Sequence, residues 1–205
     1  QSWSRLHPDA RLYQQYAGED AAPGEGDHQD IVFPHLIRGT PPHEEFYENF
    51  RKTPMADEMT MLFALTALTE HGLGTDDSPD ILAISFSATD SIGHAYGEGS
   101  HEMMDQLLRL DQTLGRLFAE IDRRVGLDKT LVVLTADHGS QPLVESLQAR
   151  GQPARRVSAK TLDELFTQAF ARRFPGAQGL LPYWYPPNFY LDEEAIRRLG
   201  LPMEE

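Results

Sequence analysis

Two short, nearly continuous apolar runs constrain the fold most, because each leads directly into a carboxylate and an imidazole. The runs occupy residues 81–86 and 131–134. Apolar runs of this length are typical of central strands in a parallel sheet, which helices cover on both faces. Between them, residues 104–125 carry apolar side chains at helical spacing, and Gly126 follows. This order predicts a strand, a crossover helix and a second strand.

The polar residues after the two runs form two motifs. In the first, Asp90 precedes His94 by four residues. In the second, Asp137 and His138 are adjacent. Ligands of open α/β sheets collect beyond the carboxyl ends of the strands, so we expect the two motifs to meet there. A helical turn or a compact loop would aim the first pair at one ion. A turn at Gly139 would bring the second pair inward.

The donor set indicates a metal site. Mixed carboxylate and imidazole ligands favour zinc or a similar transition metal over calcium or magnesium. Two metals about 3.5–4 Å apart can hold the attacking and leaving oxygens of an in-line phosphoryl displacement. One Asp-His neighbour pair is more often a turn or a structural hydrogen bond. Two motifs that each follow an apolar run and each contain or precede a glycine are harder to explain by packing alone.

The two motifs and the strings around them resemble the alkaline phosphatase superfamily, which includes the type I phosphodiesterases and nucleotide pyrophosphatases. The longer strings are most similar to the periplasmic, phosphate-irrepressible type of alkaline phosphatase. The resemblance implies a doubly wound α/β fold with a mostly parallel sheet and helices on both faces, here incomplete. It is carried by residues 90–94, 136–139, 86–90, 107–111, 53–64 and 186–191.

The resemblance also implies roles for four residues. Asp90 and His94 would bind one zinc, and Asp137 and His138 would bind the second. The complete enzyme would hydrolyse phosphate monoesters. No segment here matches the family's remaining Asp and His ligands, its Thr or Ser nucleophile, or the Asn and Lys-Arg groups that hold the substrate phosphate. We therefore assign no catalytic residue. We expect an internal fragment with weak metal binding, because each zinc has two protein ligands, and with negligible activity alone.

Other functions stay open beside phosphomonoester hydrolysis. A phosphodiesterase or nucleotide pyrophosphatase is the nearest alternative. A cofactor-independent phosphoglycerate mutase combines similar motifs with manganese, although the strings around Asp90 and Asp111 favour the phosphatase branch. A noncatalytic metal-binding or interaction module would need only a partial site. Thr89 and Ser140 lie beside the motifs, but the family's nucleophile lies upstream and no separate base is evident here.

Composition limits the partners of the chain. Its 205 residues include 18 Lys and Arg against 32 Asp and Glu, and the formal net charge of −14 argues against binding to a nucleic-acid backbone. No apolar run is long enough to cross a membrane. The absence of cysteine excludes disulfides and thiolate ligands. No signal peptide is evident in this form of the chain, so a periplasmic or secreted location is implied by resemblance alone. We expect a piece with few central strands to expose apolar sheet edges, which favours either a homo-oligomer or a rearranged sheet.

The pattern along the chain divides this partial domain, 1–205, into three segments. Residues 1–52 are rich in Pro, Gly and charge and predict an irregular segment. Residues 53–140 hold the strand, helix and strand with both metal motifs. Residues 141–205 predict a helical and aromatic segment, with a capping box at Thr161. We interpret its aromatic residues, 183–190, as packing onto the domain rather than stacking a nucleobase.

Several further residues have expected positions. A helix begins at Thr53 and Pro54, and His71 lies at its end. Asp111 either faces solvent or makes a buried hydrogen bond. We expect His101 in the exposed first turn of the long helix rather than at a metal. The remaining histidines are expected in a solvated loop: His7, His28, His35 and His43.

Overall fold

The computed structural model describes residues 1–26, 30–175, 183–185 and 188–200. Its contacts divide the chain into two compact units, Gln1–Ala154 and Arg155–Glu205. Helices dominate the described part of both units. None of these helices combines the length and the apolarity needed to cross a membrane.

The first unit is built around one long helix, α5. Its elements in chain order are β1 (Ser2–Trp3), α1 (Ala10–Ala17), β2 (His35–Leu36), α2 (Glu44–Phe50), α3 (Pro54–Glu70), α4 (Ala88–Tyr96), α5 (His101–Arg124), a short 3-10 helix (Leu127–Lys129) and α6 (Val144–Ala149). Helices α1, α3 and α4 each pack against α5. Strands β1 and β2 are antiparallel, with Trp3 opposite His35. A buried cluster of Trp3, Ala88, Ile92 and Tyr96 joins β1 to α4.

Local sequence signals account for the two longest helices. The Ser100 hydroxyl accepts a hydrogen bond from the amide of Met103 and so caps α5. Arginines in the last turn of α5 complement the helix dipole. In α3, Thr53 is the N-cap residue but makes no side-chain capping hydrogen bond, and Pro54 is the first helical residue. Both predicted helices are thus confirmed, and His71 lies at the end of α3 as expected.

The two apolar runs do not form the predicted strands. Residues 81–86 and 131–134 have no strand assignment, and Ile81 and Leu131 are 93% and 90% exposed. In the described part of the chain, the sheets are two antiparallel pairs of short strands rather than a parallel sheet. A central strand needs backbone partners on both sides, and the described residues supply none for these runs. The parallel sheet therefore stays a prediction.

Residues 1–52 contain two short strands and two helices. The buried carboxylate of Asp105 on α5 holds β1 and α1 by hydrogen bonds. Asp105 accepts hydrogen bonds from Trp3 Nε1 at 2.7 Å, from the Leu6 amide at 2.6 Å and from the Tyr13 hydroxyl at 2.5 Å. Burial, followed by the hydrogen bond to Asp105, raises the pKa of Tyr13 to about 12. These long-range bonds organise a segment whose composition resembles a loop.

Two histidines expected in solvent are buried, so those predictions were wrong. His35 is 4% exposed and its Nε2 lies 2.8 Å from Glu102 Oε1. His101 is 2% exposed and its Nε2 lies 2.8 Å from the carbonyl oxygen of Gly18. Tertiary contacts cause this burial, because the N-terminal segment covers the first turn of α5. His7, His43 and Asp111 are exposed, and His28 lies outside the described residues.

The second unit contains α7 (Ala159–Arg173), β3 (Tyr183–Tyr185), β4 (Asn188–Tyr190) and α8 (Glu193–Leu199). Strands β3 and β4 are antiparallel, with Tyr183 opposite Tyr190. Ser158 rather than Thr161 caps α7, because the Ser158 hydroxyl accepts from the Thr161 amide. The helix therefore begins three residues earlier than the predicted capping box at Thr161. The cap of α8 is Asp192, whose side chain accepts hydrogen bonds from the amides of Glu194 and Ala195.

Candidate metal centre

Helix α4 places the first motif on one face. Asp90 and His94 are one turn apart, so their side chains project from the same side of the helix. His94 Nε2 lies 3.3 Å from Asp90 Oδ1. The helix ends at Tyr96 because Gly97 adopts a φ of 85°, and a Cβ there would lie 2.7 Å from Leu143 Cγ.

The second motif reaches the same point from a bend at Asp137 and His138, outside any helix or strand. His138 Nε2 lies 3.4 Å from Asp90 Oδ1 and 3.6 Å from Asp137 Oδ2. The imidazole rings of His94 and His138 have centroids 6.3 Å apart. Asp90 therefore stands between the two histidines, and Asp137 contacts the group through His138.

A backbone carbonyl orients the His138 ring. His138 Nδ1 lies 3.0 Å from the carbonyl oxygen of Gly139. A hydrogen bond there places the proton of the neutral ring on Nδ1 and leaves the Nε2 lone pair facing the carboxylates. The Gly139 carbonyl, followed by the negative charges of Asp137 and Asp90, raises the pKa of His138.

Two of the three distances between the ligand atoms fit one tetrahedral metal ion. One ligand atom each from Asp90, His94 and His138 lies within 4.8 Å of the other two. Two ligands at about 2.0–2.1 Å from a tetrahedral zinc are separated by about 3.3–3.4 Å. The two distances from Asp90 Oδ1 to the histidine Nε2 atoms have this value. All three residues are exposed, so an ion could reach the group from solvent.

The group of Asp90, His94 and His138 combines residues of both motifs. The resemblance assigns Asp90 with His94 to one ion and Asp137 with His138 to another. In the structure, Asp90 lies equally close to the histidines of both motifs. The assignment of the four residues to two separate ions stays a prediction.

A buried network under the start of α4 was missed by the sequence reasoning. Asp57 of α3 accepts a hydrogen bond from the Ala88 amide at 3.0 Å and another from Gln106 Nε2 at 2.6 Å. The same Gln106 nitrogen donates to Thr89 Oγ1 at 3.0 Å. Asp57 shares the buried face of α3 with Met61 and other apolar residues. A polar residue on an apolar helix face was the one signal that could have identified this network.

The candidate nucleophiles gain no support from their surroundings. Thr89 is half-buried, and its hydroxyl accepts from Gln106. Ser140 is exposed. Neither Thr89 nor Ser140 has a base oriented toward its hydroxyl among the hydrogen bonds of the described residues. Neither is therefore assigned to catalysis.

Comparison with known proteins identifies the relatives of this chain. The family model of the type I phosphodiesterases / nucleotide pyrophosphatases matches residues 7–179. Alkaline phosphatase PhoD of Zymomonas mobilis is 39% identical over 129 residues, which are 62% of this chain and 22% of that protein. Alkaline phosphatase PhoV of Synechococcus elongatus is 32% identical over 173 residues, which are 83% of this chain and 30% of that protein.

A solved structure shows the same relationship in three dimensions. The crystal structure of wild-type alkaline phosphatase PafA superimposes with a TM-score of 0.82 and 27% identity, and the match covers 99% of this chain and 38% of that one. This chain thus spans well under half the length of each relative. The fold is alkaline phosphatase-like, and the chain belongs to the type I phosphodiesterase / nucleotide pyrophosphatase family.

Proposed function

We propose that this chain supplies metal ligands to the active site of a metal-dependent phosphoric ester hydrolase that acts on phosphate monoesters. The observation that carries the proposal is the approach of Asp90, His94 and His138 to one point, although the two motifs are more than forty residues apart in sequence. The names of the relatives PhoD and PhoV, both alkaline phosphatases, support a phosphomonoesterase.

The proposed metal is zinc, with two ions in the complete enzyme. Asp90, His94, Asp137 and His138 would hold them. When bound, the ions would stabilise negative charge on the phosphoryl and leaving-group oxygens. The chain's own contribution is to fix the ligands. The turn of α4 separates Asp90 from His94, and the Gly139 carbonyl directs His138 Nε2 toward both carboxylates.

Charge makes substrate binding depend on the metal. Without an ion, Asp90 and Asp137 repel a phosphate ester, and the chain as a whole carries a formal charge of −14. A bound divalent ion reverses the local charge. We expect the chain alone to turn over esters negligibly, because none of its residues is assigned as the nucleophile.

A phosphodiesterase is the second candidate. The matched family model covers the type I phosphodiesterases, and the human ectonucleotide pyrophosphatase/phosphodiesterase family member 7 is 34% identical over 65 residues. A noncatalytic metal-binding module is the candidate from another class, because a partial site would be sufficient for it.

Binding of inorganic phosphate with and without zinc tests the proposal. We expect phosphate to bind the zinc-loaded chain and not the metal-free chain, as measured by isothermal titration. Asp90→Asn should abolish the difference, whereas Asp111→Asn, which removes one exposed carboxylate from α5, should preserve it. Zinc binding without phosphate binding would contradict the hydrolase and favour the noncatalytic module. Tighter binding of dimethyl phosphate than of phosphate would favour the phosphodiesterase.

A further inference from the structure

Helix α4 begins without a cap of its own. Its N-cap residue, Ser87, has helical backbone angles and makes no side-chain capping hydrogen bond. The first amide of the helix, that of Ala88, instead donates to Asp57 Oδ1 at 3.0 Å. A carboxylate from α3 therefore satisfies an amide that α4 would otherwise leave without a partner.

Asp57 is itself buried, and both of its carboxylate oxygens accept hydrogen bonds. It is 2% exposed, and its second oxygen accepts from Gln106 Nε2 at 2.6 Å. Gln106 lies on α5, is fully buried, and also donates to Thr89 Oγ1 on α4. The three residues thus connect α3, α4 and α5 at the end of α4 where the metal motif begins. Burial raises the pKa of Asp57, while the hydrogen bonds from Ala88 and Gln106 oppose that shift.

The position of α4 decides whether the metal ligands meet. Asp90 lies two residues after Ala88, and His94 lies one turn further along the same helix. Their partner His138 lies on a separate segment, 3.4 Å from Asp90. A rigid shift of α4 by about 1 Å would change the distance from Asp90 to His138 without changing that from Asp90 to His94. Residues that orient metal ligands commonly change metal affinity about 10- to 100-fold when they are removed.

We propose that Asp57 is a positioning residue for the metal centre, which fixes the start of α4 so that Asp90 and His94 face His138. The proposal rests on the proposed function, because it takes these three residues to be metal ligands. Asp57 touches neither the ion nor the substrate and acts through Ala88 and through Gln106.

Three variants test the role of Asp57. Asp57→Ala removes both acceptors. Asp57→Asn keeps an oxygen that can accept from Ala88 but loses one of the two carboxylate acceptors, so its effects should be smaller. Leu117→Ala is the matched control for loss of stability, since Leu117 is buried on α5 eleven residues beyond Gln106, about 16 Å along the helix.

Two measurements distinguish an effect of Asp57 on the position of α4 from a general loss of folding stability. The first is amide hydrogen exchange of residues 88–96 relative to residues 10–17 of α1 in the metal-free chain. The second is zinc affinity by isothermal titration. We expect Asp57→Ala to speed exchange in α4 selectively by about tenfold or more and to weaken zinc binding about 10- to 100-fold. Leu117→Ala should leave the exchange ratio and the zinc affinity unchanged.

The proposal is overturned if Asp57→Ala exchanges in α4 like the wild type, or if Leu117→Ala reproduces both effects at equal loss of stability. Zinc binding of wild-type strength by Asp57→Ala would also overturn it. A wild-type chain that binds no zinc would instead refute the proposed function. In that case the exchange ratio alone still decides whether Asp57 fixes α4.

Discussion

At the scale of single residues, Glu25 shows how burial changes a titratable group. It is almost fully buried, and one of its oxygens accepts a hydrogen bond from the Ala22 amide at 2.8 Å. Burial raises the pKa of Glu25 to about 7, with the charges of Glu102 and Asp20 acting in the same direction and His35 opposing them. Folding therefore favours the protonated form of this carboxyl group.

The raised pKa predicts that stability falls as the pH rises. The contribution is fully present below the pKa of the unfolded chain and is lost as the pH passes through about 7. We expect about 2 kcal/mol of unfolding free energy to be lost from this group between pH 5 and pH 8. Glu25→Gln should remove that loss in urea denaturation. The exposed Glu98→Gln should retain it, and an unchanged pH profile for Glu25→Gln would show that the group titrates normally.

At the scale of elements, the sequence predicts helices well and their surroundings poorly. Helices α3, α5 and α8 follow from apolar spacing and cap residues, which are local signals. The burial of His101 depends on contacts with residues more than eighty positions away, which no local pattern records. The four proposed ligands could be identified from motifs. For Asp57 the sequence offers only a polar residue on an apolar helix face, because its hydrogen bonds depend on the packing of three helices.

The cap of α5 gives a prediction at this scale. The Ser100 hydroxyl accepts from the Met103 amide, donates to the Gly97 carbonyl and is buried. Ser100→Ala leaves both backbone groups without a partner, and we expect a loss of about 1–2 kcal/mol in unfolding free energy. Ser158→Ala, at the exposed cap of α7, should cost about 0.5–1 kcal/mol. Equal costs at the two caps would contradict the role of burial.

At the scale of the whole molecule, the exposed apolar runs set this chain apart from an ordinary domain. Ile81, Leu131 and Leu134 are each more than four-fifths exposed. Apolar side chains are usually exposed singly rather than in runs of this kind. The chain matches 38% of the PafA chain. If the predicted parallel sheet forms, it would bury these runs under helices on both faces.

Two isoleucines provide a matched test of whether the first apolar run is exposed in solution. Ile81 is 93% exposed, whereas Ile92 is fully buried in the cluster around Trp3. We expect Ile92→Ala to cost about 2–5 kcal/mol of unfolding free energy and Ile81→Ala to stay within about 0.5 kcal/mol. Denaturant titration of both variants measures this. A large cost at Ile81 would show that the first apolar run is buried in solution, for example in an oligomer.

The most direct test of the central claim is a zinc titration of the wild-type chain and three variants. The claim is that both motifs contribute to one metal centre. We predict saturable zinc binding that weakens at least about tenfold both in Asp90→Asn and in His138→Ala, while Asp111→Asn binds like the wild type. Zinc binding that survives either of the first two substitutions unchanged, or that fails in the wild type, would contradict the claim.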